Sequence, residues 1–570
     1  MTAGKDYTTN LVKGVKMLSS QGQPFEVVQK TLGGIPYTVF AGMPANLRDL
    51  YAMGDAHGDL DFLVYGDERW TFAETFIEAR KFATALHEDY DIQAGDRVAV
   101  ACRNYPEWCI AYLAITGMGA IAVLLNSWWT GEELAYGIEN SEPKVLLVDE
   151  RRLDAVESYI AERKLPCIAI RTKRDLPAAC QDYSDVIKGR DGAAWPDIET
   201  DAENPSTIFY TSGSTNHPKG VLSNGRALMT TLMSWALLGT SQKIIDGTLE
   251  DTSGPQLGIL LCLPLFHITG CNSLFMLSVL LGRKLVFIDK WDVSEALRLM
   301  EKEKLTNFVG VPTMTYELLH APDRDSYDLS SLTDIGSGGA SRPAHQVAEL
   351  KENFNSHISN GYGMTETNAL GAINSRESYL EKPASAGIPF EPTMEMRILD
   401  EQGKECPAGA VGELAIKSAS NMLCYWKSPE ATAEAVKDGW LMTGDIAYID
   451  EENFLFIVDR KKSIIISGGE NISTLEVESA LTHHKNVLDA CVFALPDERM
   501  GEIVGAVIQV NDSSITPEAM KAYLGEYIAH FKIPKHLWVQ TEILPIIGTN
   551  KVDKKGLQKH YSDLILKEGA

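Results

Sequence analysis

The stretch Thr211-Ser212-Gly213-Ser214-Thr215-Asn216-His217-Pro218-Lys219-Gly220 packs hydroxyls and small residues around one lysine. Short hydroxyls and backbone N–H groups can donate to phosphate oxygens at close range, and Lys219 adds a point charge. It is not a Walker loop, because Pro218 removes a backbone donor just before the lysine and Gly220 stands where that motif needs Ser or Thr. Taken alone, it equally suits a solvated turn between strand and helix. A second segment, Asn360-Gly361-Tyr362-Gly363-Met364-Thr365-Glu366-Thr367, sets an aromatic ring, a hydroxyl and a carboxylate close together. Tyr362 can stack on a purine, Thr365 can donate to a phosphate, and Glu366 offers the hard oxygen that Mg²⁺ takes alongside substrate phosphates. Thr443-Gly444-Asp445 combines a residue that permits a sharp turn with a short carboxylate able to accept both hydroxyls of a ribose. Asp459-Arg460-Lys461-Lys462 leads through a β-branched run to Gly468-Gly469, and Gly548-Thr549-Asn550-Lys551 is a turn presenting a lysine. Each of these also has an ordinary structural reading: a core tyrosine, a solvated glutamate, an exposed charge cluster at a domain edge.

The elements that must position these residues alternate in character. Phe72 to His87 reads as helix, Arg97 to Cys102 as strand, Trp108 to Gly117 as helix and Ala120 to Leu125 as strand. Further strands are expected at Lys144 to Val148, Ser206 to Tyr210 and Lys284 to Ile288, the pattern of α/β units with buried strands. Leu257 to Gly282 is interrupted by Pro264, His267, Gly270 and Asn272, so it reads as a buried strand followed by a core helix rather than a membrane span. Near Asp459 the character changes to short strands such as Val487 to Leu495 and Ile503 to Val510. The expectation is an α/β chain: a large N-terminal domain of layered sheets and helices over 1–459, and a smaller, mobile C-terminal α+β domain over 460–570.

The 570 residues carry 52 Lys plus Arg against 78 Asp plus Glu, a net charge of -26 that repels polyphosphate backbones, so nucleic acid is not expected as a partner. The last forty residues depart from this, with seven Lys against Glu542, Asp553, Asp563 and Glu568, a local basicity suited to an anionic ligand. The nine cysteines form no C-x-x-C pair, so neither a disulfide framework nor a zinc site is indicated. No signal-peptide core opens the chain, and a cytoplasmic location is expected.

As an ordered set, these motifs resemble the adenylate-forming superfamily of acyl-CoA synthetases, luciferases and peptide-synthetase adenylation domains, over a stretch from about Trp70 to Lys555. The resemblance implies that Thr211, Ser212, Gly213, Ser214, Thr215 and Lys219 hold the β- and γ-phosphates of ATP. It implies that Gly338, Gly339 and Ala340 line the adenine and acyl pocket, that Tyr362, between Gly361 and Gly363, packs on adenine, and that Thr365 touches the α-phosphate. Glu366, with Thr211, would bind Mg²⁺; Asp445, helped by Arg460 and near Ile457, would hold the ribose. Lys551 matches the catalytic lysine of adenylation, Lys462 the point about which the small domain rotates, and Gly468-Gly469 the approach to the arm of CoA. His267 matches the gate beside the reacting carboxylate, although a lone histidine near an apolar strand is also an ordinary core residue.

Two positions depart from the family pattern: Asn216 and Asn550 stand where glycine is usual, and asparagine is the next most tolerant of left-handed backbone. The residues after Pro264, Leu265-Phe266-His267, include no Asp to hold an α-ammonium, and only 19 residues follow Lys551, so a peptide-synthetase module is disfavoured. Candidate acyl-pocket residues Cys271, Val309, Gly310, Gly338 and Gly339 are apolar or small. They suit an acyl chain or an aryl acid, and Asp553-Lys554-Lys555 after the lysine resembles the fatty-acyl synthetases more than the aryl ones, which implies a medium- or long-chain fatty acid converted with ATP and CoA into acyl-CoA, AMP and pyrophosphate. An aryl-CoA ligase and an acyl-AMP ligase loading a carrier protein are the rival readings; an oxygenase like the luciferases and a non-catalytic binding protein rank below them. A homodimer is compatible with the sequence.

Overall fold

Runs of four or five β-branched and small apolar residues are too short for stable helices but fit strands buried on both faces. The computed structural model uses them in this way. It describes residues 2–211, 218–250, 254–339, 342, 344–461, 463–467, 470–497, 499–547 and 551–568, with 345, 471, 551 and 566–568 described for the backbone alone. An eight-stranded sheet runs in the order Cys424–Tyr425, Lys219–Asn224, Pro205–Thr211, Ile121–Leu124, Arg97–Ala101, Val145–Asp149, Cys167–Ile170 and Cys180–Asp182. From Pro205–Thr211 onward its neighbours pair in parallel. A nine-stranded sheet is likewise parallel through His357–Gly363, Asp334–Gly338, Asn307–Gly310, Gly258–Leu261, Lys284–Phe287 and Asp61–Tyr65.

Between the two sheets lies the main core. The helix Pro106–Gly117 is buried on every face, only Glu107 being partly exposed. Its Trp108 and Tyr112 stack, and both meet Phe275 edge-on. A helix apolar all round is what a site enclosed by two sheets requires. The alternation of helix and strand is as the sequence pattern predicts, with ends shifted by one to three residues, for example Phe72–Tyr90 in place of Phe72 to His87.

One expected helix has an unforeseen start. After the strand Gly258–Leu261, residues Thr269–Met276 form a π-helix before the α-helical turns of Leu277–Leu281. Gly270 stands at its start: a Cβ there would sit 2.2 Å from the Pro264 carbonyl oxygen, so the chain folds back on itself more closely than any side chain permits. Buried Asn272 then donates to the carbonyl of Asn368 at 3.3 Å, tying the wide turn to the Glu366 segment.

A third, antiparallel sheet contains Met394–Leu399, Gly412–Ser418, Trp440–Ile449 and Leu455–Arg460. Beyond it the chain builds a separate sheet from Ile465–Ser467, Glu470–Ile472, Val487–Asp497, Gly501–Val510 and His536–Gln540, with its own buried cluster of Ile465, Val492, Ala506 and Leu537. The fold class is therefore as expected: layered sheets and helices in a large N-terminal part, and a smaller α+β C-terminal part. Among the described residues, no helix is long and apolar enough to cross a membrane.

Candidate functional site

Parallel strands point their C-terminal ends at one edge, and a crevice outside that edge is where open α/β sheets bind ligands. Along the nine-stranded sheet, that edge carries Gly310, Gly338 and Gly363 at the ends of three adjacent strands. Gly338 pairs with Gly361, and a Cβ on Gly338 would lie 3.1 Å from the Gly361 carbonyl oxygen. The two glycines leave a bare strip of backbone beside the Trp235 ring, a face that a flat ring can approach. Val309 and Gly336 pair next to them. Gly339 follows in the left-handed region, φ 78°.

Cys271 is fully buried in the main core next to Tyr112, whereas His267 is half-buried, its ring 4.5 Å from that of Phe266. Asn104, leaving the first sheet, accepts from Leu265 N–H and donates to the Leu263 carbonyl, both at 2.9 Å. These bonds fix the His267 segment against both sheets.

The carboxylate of Thr443-Gly444-Asp445 stands on no isolated turn. It lies inside the long strand Trp440–Ile449, where Gly444 takes φ 72° and the pairing register slips on either side. A bulge in a strand aims a side chain more rigidly than a turn does. Asp445 is 2 % exposed, accepts a hydrogen bond of 2.5 Å from the Tyr362 hydroxyl and pairs with Arg460 Nε at 2.6 Å. Burial, reinforced by the neighbouring Asp445 charge, pushes the Tyr362 phenol well above its ordinary range, so it stays a donor. Ile457 packs with Tyr362 on the same apolar cluster.

Thr365 opens a single 3₁₀ turn, Thr365–Thr367, that carries Glu366 inward. Asn368, left-handed at φ 56°, closes it and donates to Ser223 Oγ at 3.0 Å and to the Ser420 carbonyl at 2.9 Å. Glu366 Oε1 accepts from the Tyr425 hydroxyl at 2.7 Å, and the Tyr425 ring lies 5.0 Å beneath Lys219 Nζ. Burial and the adjacent carboxylate raise the Tyr425 phenol far above its usual range. Tyr425 therefore joins the lysine of the hydroxyl loop to the glutamate of the second motif. Sequence spacing gave no sign of it, because it sits on a two-residue strand, Cys424–Tyr425, without periodic pattern.

Thr211 and Lys219 are paired across the mouth of the hydroxyl loop. Within the loop, Ser212, Gly213, Ser214, Thr215 and Asn216 lie outside the described residues, as do Ala340, Lys462, Gly468, Gly469, Asn550 and the side chain of Lys551. The backbone of Lys551 opens the strand Lys551–Val552, paired with Ile546–Ile547. Just beyond, Lys554 Nζ donates to Thr474 Oγ1 at 2.6 Å and to Glu478 Oε1 at 3.2 Å. Asp459, 1 % exposed, in turn accepts from the Thr474 hydroxyl at 3.0 Å and from the Thr474 backbone N–H, holding the start of the helix Thr474–Thr482. Its role as a helix anchor also escaped the sequence, since its partner lies 15 residues on.

Glu366 fits a divalent cation in one specific way. No cluster of three His, Cys, Asp or Glu able to hold a metal exists among the described residues, and one glutamate oxygen is already committed to Tyr425. A single carboxylate completed by water and substrate phosphates is the habit of Mg²⁺.

Comparison with known proteins identifies the family. A family model described as AMP-binding enzyme matches residues 51–426, and one described as AMP-binding enzyme C-terminal domain matches 476–551. 4-Coumarate–CoA ligase 1 of Solanum tuberosum is 30% identical over 500 residues, covering 86% of this chain and 89% of that protein. A long-chain-fatty-acid–CoA ligase of Bacillus subtilis is 30% identical over 526 residues, covering 88% and 91%. Among solved structures, O-succinylbenzoate coenzyme A synthetase from Bacillus subtilis in complex with ATP and magnesium ion superposes with a TM-score of 0.75 at 29% identity, covering 90% of this chain and 98% of that one.

Proposed function

Because the chain belongs to the AMP-binding enzyme family, whose relatives here are AMP-forming CoA ligases, we propose that it joins a fatty acid to coenzyme A by way of an acyl-adenylate. The observation that carries this reading is that three sheets bring their polar groups together beside the end of the strand His357–Gly363: the Asp445–Arg460 pair reached by Tyr362, and Lys219 and Glu366 joined by Tyr425, which also feels the Arg460 charge. A ribose-binding carboxylate, a phosphate-binding lysine and a metal-binding glutamate are the groups that ATP requires.

A carboxylate is a poor electrophile because its leaving group would be oxide, and transfer to AMP replaces oxide with a good leaving group. In this reading Asp445 accepts the ribose hydroxyls while Arg460 orients it, and Tyr362 packs on adenine beside the bare Gly338–Gly361 backbone. Lys219 and the hydroxyl loop hold the β- and γ-phosphates, and Thr365 donates to the α-phosphate. Glu366, with Thr211, would hold Mg²⁺, which supplies electrostatic stabilisation of the phosphate charge. Lys551 donates to the oxygens on which negative charge accumulates as the acid attacks. The division into 1–459 and 460–570, with rotation at Lys462, then withdraws Lys551 and admits the CoA thiol along Gly468-Gly469 past His267.

The choice of a fatty acid is supported by the lining and by the likeness of Asp553-Lys554-Lys555 to fatty-acyl synthetases. Val309, Gly310, Gly338 and Gly339 offer no charge, and Cys271 is enclosed in the main core, a set that suits an acyl chain. The equal 30% identity to 4-coumarate–CoA ligase 1 and to the long-chain-fatty-acid–CoA ligase keeps an aryl acid as the second reading.

The test is pyrophosphate release and thioester formation with ATP, Mg²⁺ and a panel of short, medium and long fatty acids and aryl acids, with and without CoA. Thioester that requires CoA, made fastest from a medium or long fatty acid and largely lost in Lys551→Ala, is the expected result. Preference for aryl acids moves the assignment to the second reading; pyrophosphate without thioester moves it to an acyl-AMP ligase.

A further inference from the structure

Far from the ATP-binding edge, the first sheet ends in two short parallel strands, Cys167–Ile170 and Cys180–Asp182. Their first residues are register partners: Cys167 stands directly beside Cys180. Neighbouring strands lie about 4.8 Å apart, within the Cα separation of about 4.4–6.8 Å that a disulfide spans. Both side chains face the same apolar cluster with Leu153, Val156 and Ile160, and each thiol shifts the titration of the other. The pair differs in access: Cys167 is 1 % exposed, whereas Cys180 is 8 % exposed and lines an open surface cavity of about 370 Å³ with Asp89, Leu176, Gln181, Asp182, Asp185 and Val186.

We infer that Cys167 and Cys180 form an oxidation site, in which a hydroperoxide entering this cavity oxidises Cys180 and Cys167 resolves it into a disulfide across the last two strands. The Cys180 thiolate attacks the peroxide O–O bond, which breaks to give a sulfenic acid on Cys180 and, after protonation, an alcohol or water. The Cys167 thiol then attacks the Cys180 sulfur, forming the S–S bond and expelling the sulfenic oxygen as water. Two thiols are oxidised and one hydroperoxide is reduced, so no further co-reactant is needed. The order of events follows from the environment. Cys180 opens on the cavity while Cys167 is enclosed, and the adjacent Cys167, with Arg174 nearby, holds the Cys180 thiol below its ordinary range against the opposing effects of burial and Glu157. The neighbouring Cys180 and burial push the Cys167 thiol up and keep it protonated.

Register partners on parallel strands keep their Cβ atoms about as far apart as the strands themselves, farther than the roughly 3.5–4.5 Å of a relaxed bridge. Both residues must lean together, and a strained bridge is readily reduced. The modification is therefore reversible by a small dithiol.

The experiment uses the full chain, treated with hydrogen peroxide, alkylated without reduction, digested and examined by mass spectrometry. Expected is a linked pair of peptides containing Cys167 and Cys180, lighter by two hydrogens than the separate thiols and separated by dithiothreitol. In Cys167→Ser, a dimedone adduct accumulates on Cys180; in Cys180→Ser, Cys167 takes none. Adenylation in both variants remains at the untreated level, which shows that they fold. Alkylation of both residues to the same extent with and without peroxide would overturn the inference, as would linkage of either one to a different cysteine.

Discussion

Replacing Tyr425 with Phe removes one oxygen and leaves the ring beneath Lys219. What is lost is the 2.7 Å donor to Glu366 Oε1. Because its phenol ionises far above the usual range, this hydroxyl is a donor throughout any practical assay pH. A hydrogen bond to a charged acceptor contributes about 1.5–3 kcal/mol. Partners that orient a metal-binding carboxylate change metal affinity about 10–100-fold, and with each tenfold equal to about 1.4 kcal/mol the two ranges agree. The assay is pyrophosphate release at saturating ATP and acid with Mg²⁺ varied. Tyr425→Phe is expected to raise the half-saturating Mg²⁺ about 10- to 100-fold, with the rate largely restored at high Mg²⁺ and the thermal midpoint unchanged. An unchanged or lowered half-saturation, in a variant of normal stability, would refute the role given to the Tyr425–Glu366 bond.

Two further outcomes follow from the same geometry. Asp445→Asn keeps an acceptor for Tyr362 but removes the charge that pairs with Arg460, so the KM for ATP should rise by about one to two orders of magnitude, measured by ATP–pyrophosphate exchange; an unchanged KM would remove Asp445 from the ribose site. Lys554→Met leaves Glu478 without its cation. Burial already raises the Glu478 carboxyl above its ordinary range and Lys554 opposes that, so the variant raises it further. A carboxyl raised on folding binds more protons folded than unfolded, and stability falls as pH rises above the usual carboxylate range. The stability deficit, about 1–2 kcal/mol after discounting for the partly exposed Lys554, should therefore be larger at about pH 8 than at about pH 5 in thermal scans; a deficit independent of pH would show that the pair is not responsible.

The alternation of buried strands and helices could be read from the sequence because apolar runs of four or five residues have few other uses, and Arg97–Ala101 and Val145–Asp149 appear where those runs predict. The π-helix at Thr269–Met276 could not, since Gly270 comes close to a carbonyl six residues earlier and no hydrophobic period records such an approach. At the site, the residues with ordered motifs around them, Tyr362, Glu366, Asp445 and Arg460, were identifiable, and the structure brings Tyr362, Asp445 and Arg460 into contact. What joins the motifs was not. Tyr425 meets a glutamate 59 positions away and Asp459 a threonine 15 positions away, and such pairings depend on tertiary folding that local spacing does not encode.

Asp459 and Arg460 are neighbours on one strand, and its pleat sends them opposite ways, one to the Thr474 helix and the other to Asp445. The strand end is thus a two-sided latch with a single peptide bond between its jaws. In the proposed nucleotide site, any preference of Arg460 for the filled state is a preference for one seating of the Thr474 helix. By reciprocity, that helix, once displaced, weakens the grip on nucleotide by the same free energy. Order in the two half-reactions can arise from this linkage without any separate signal between the parts.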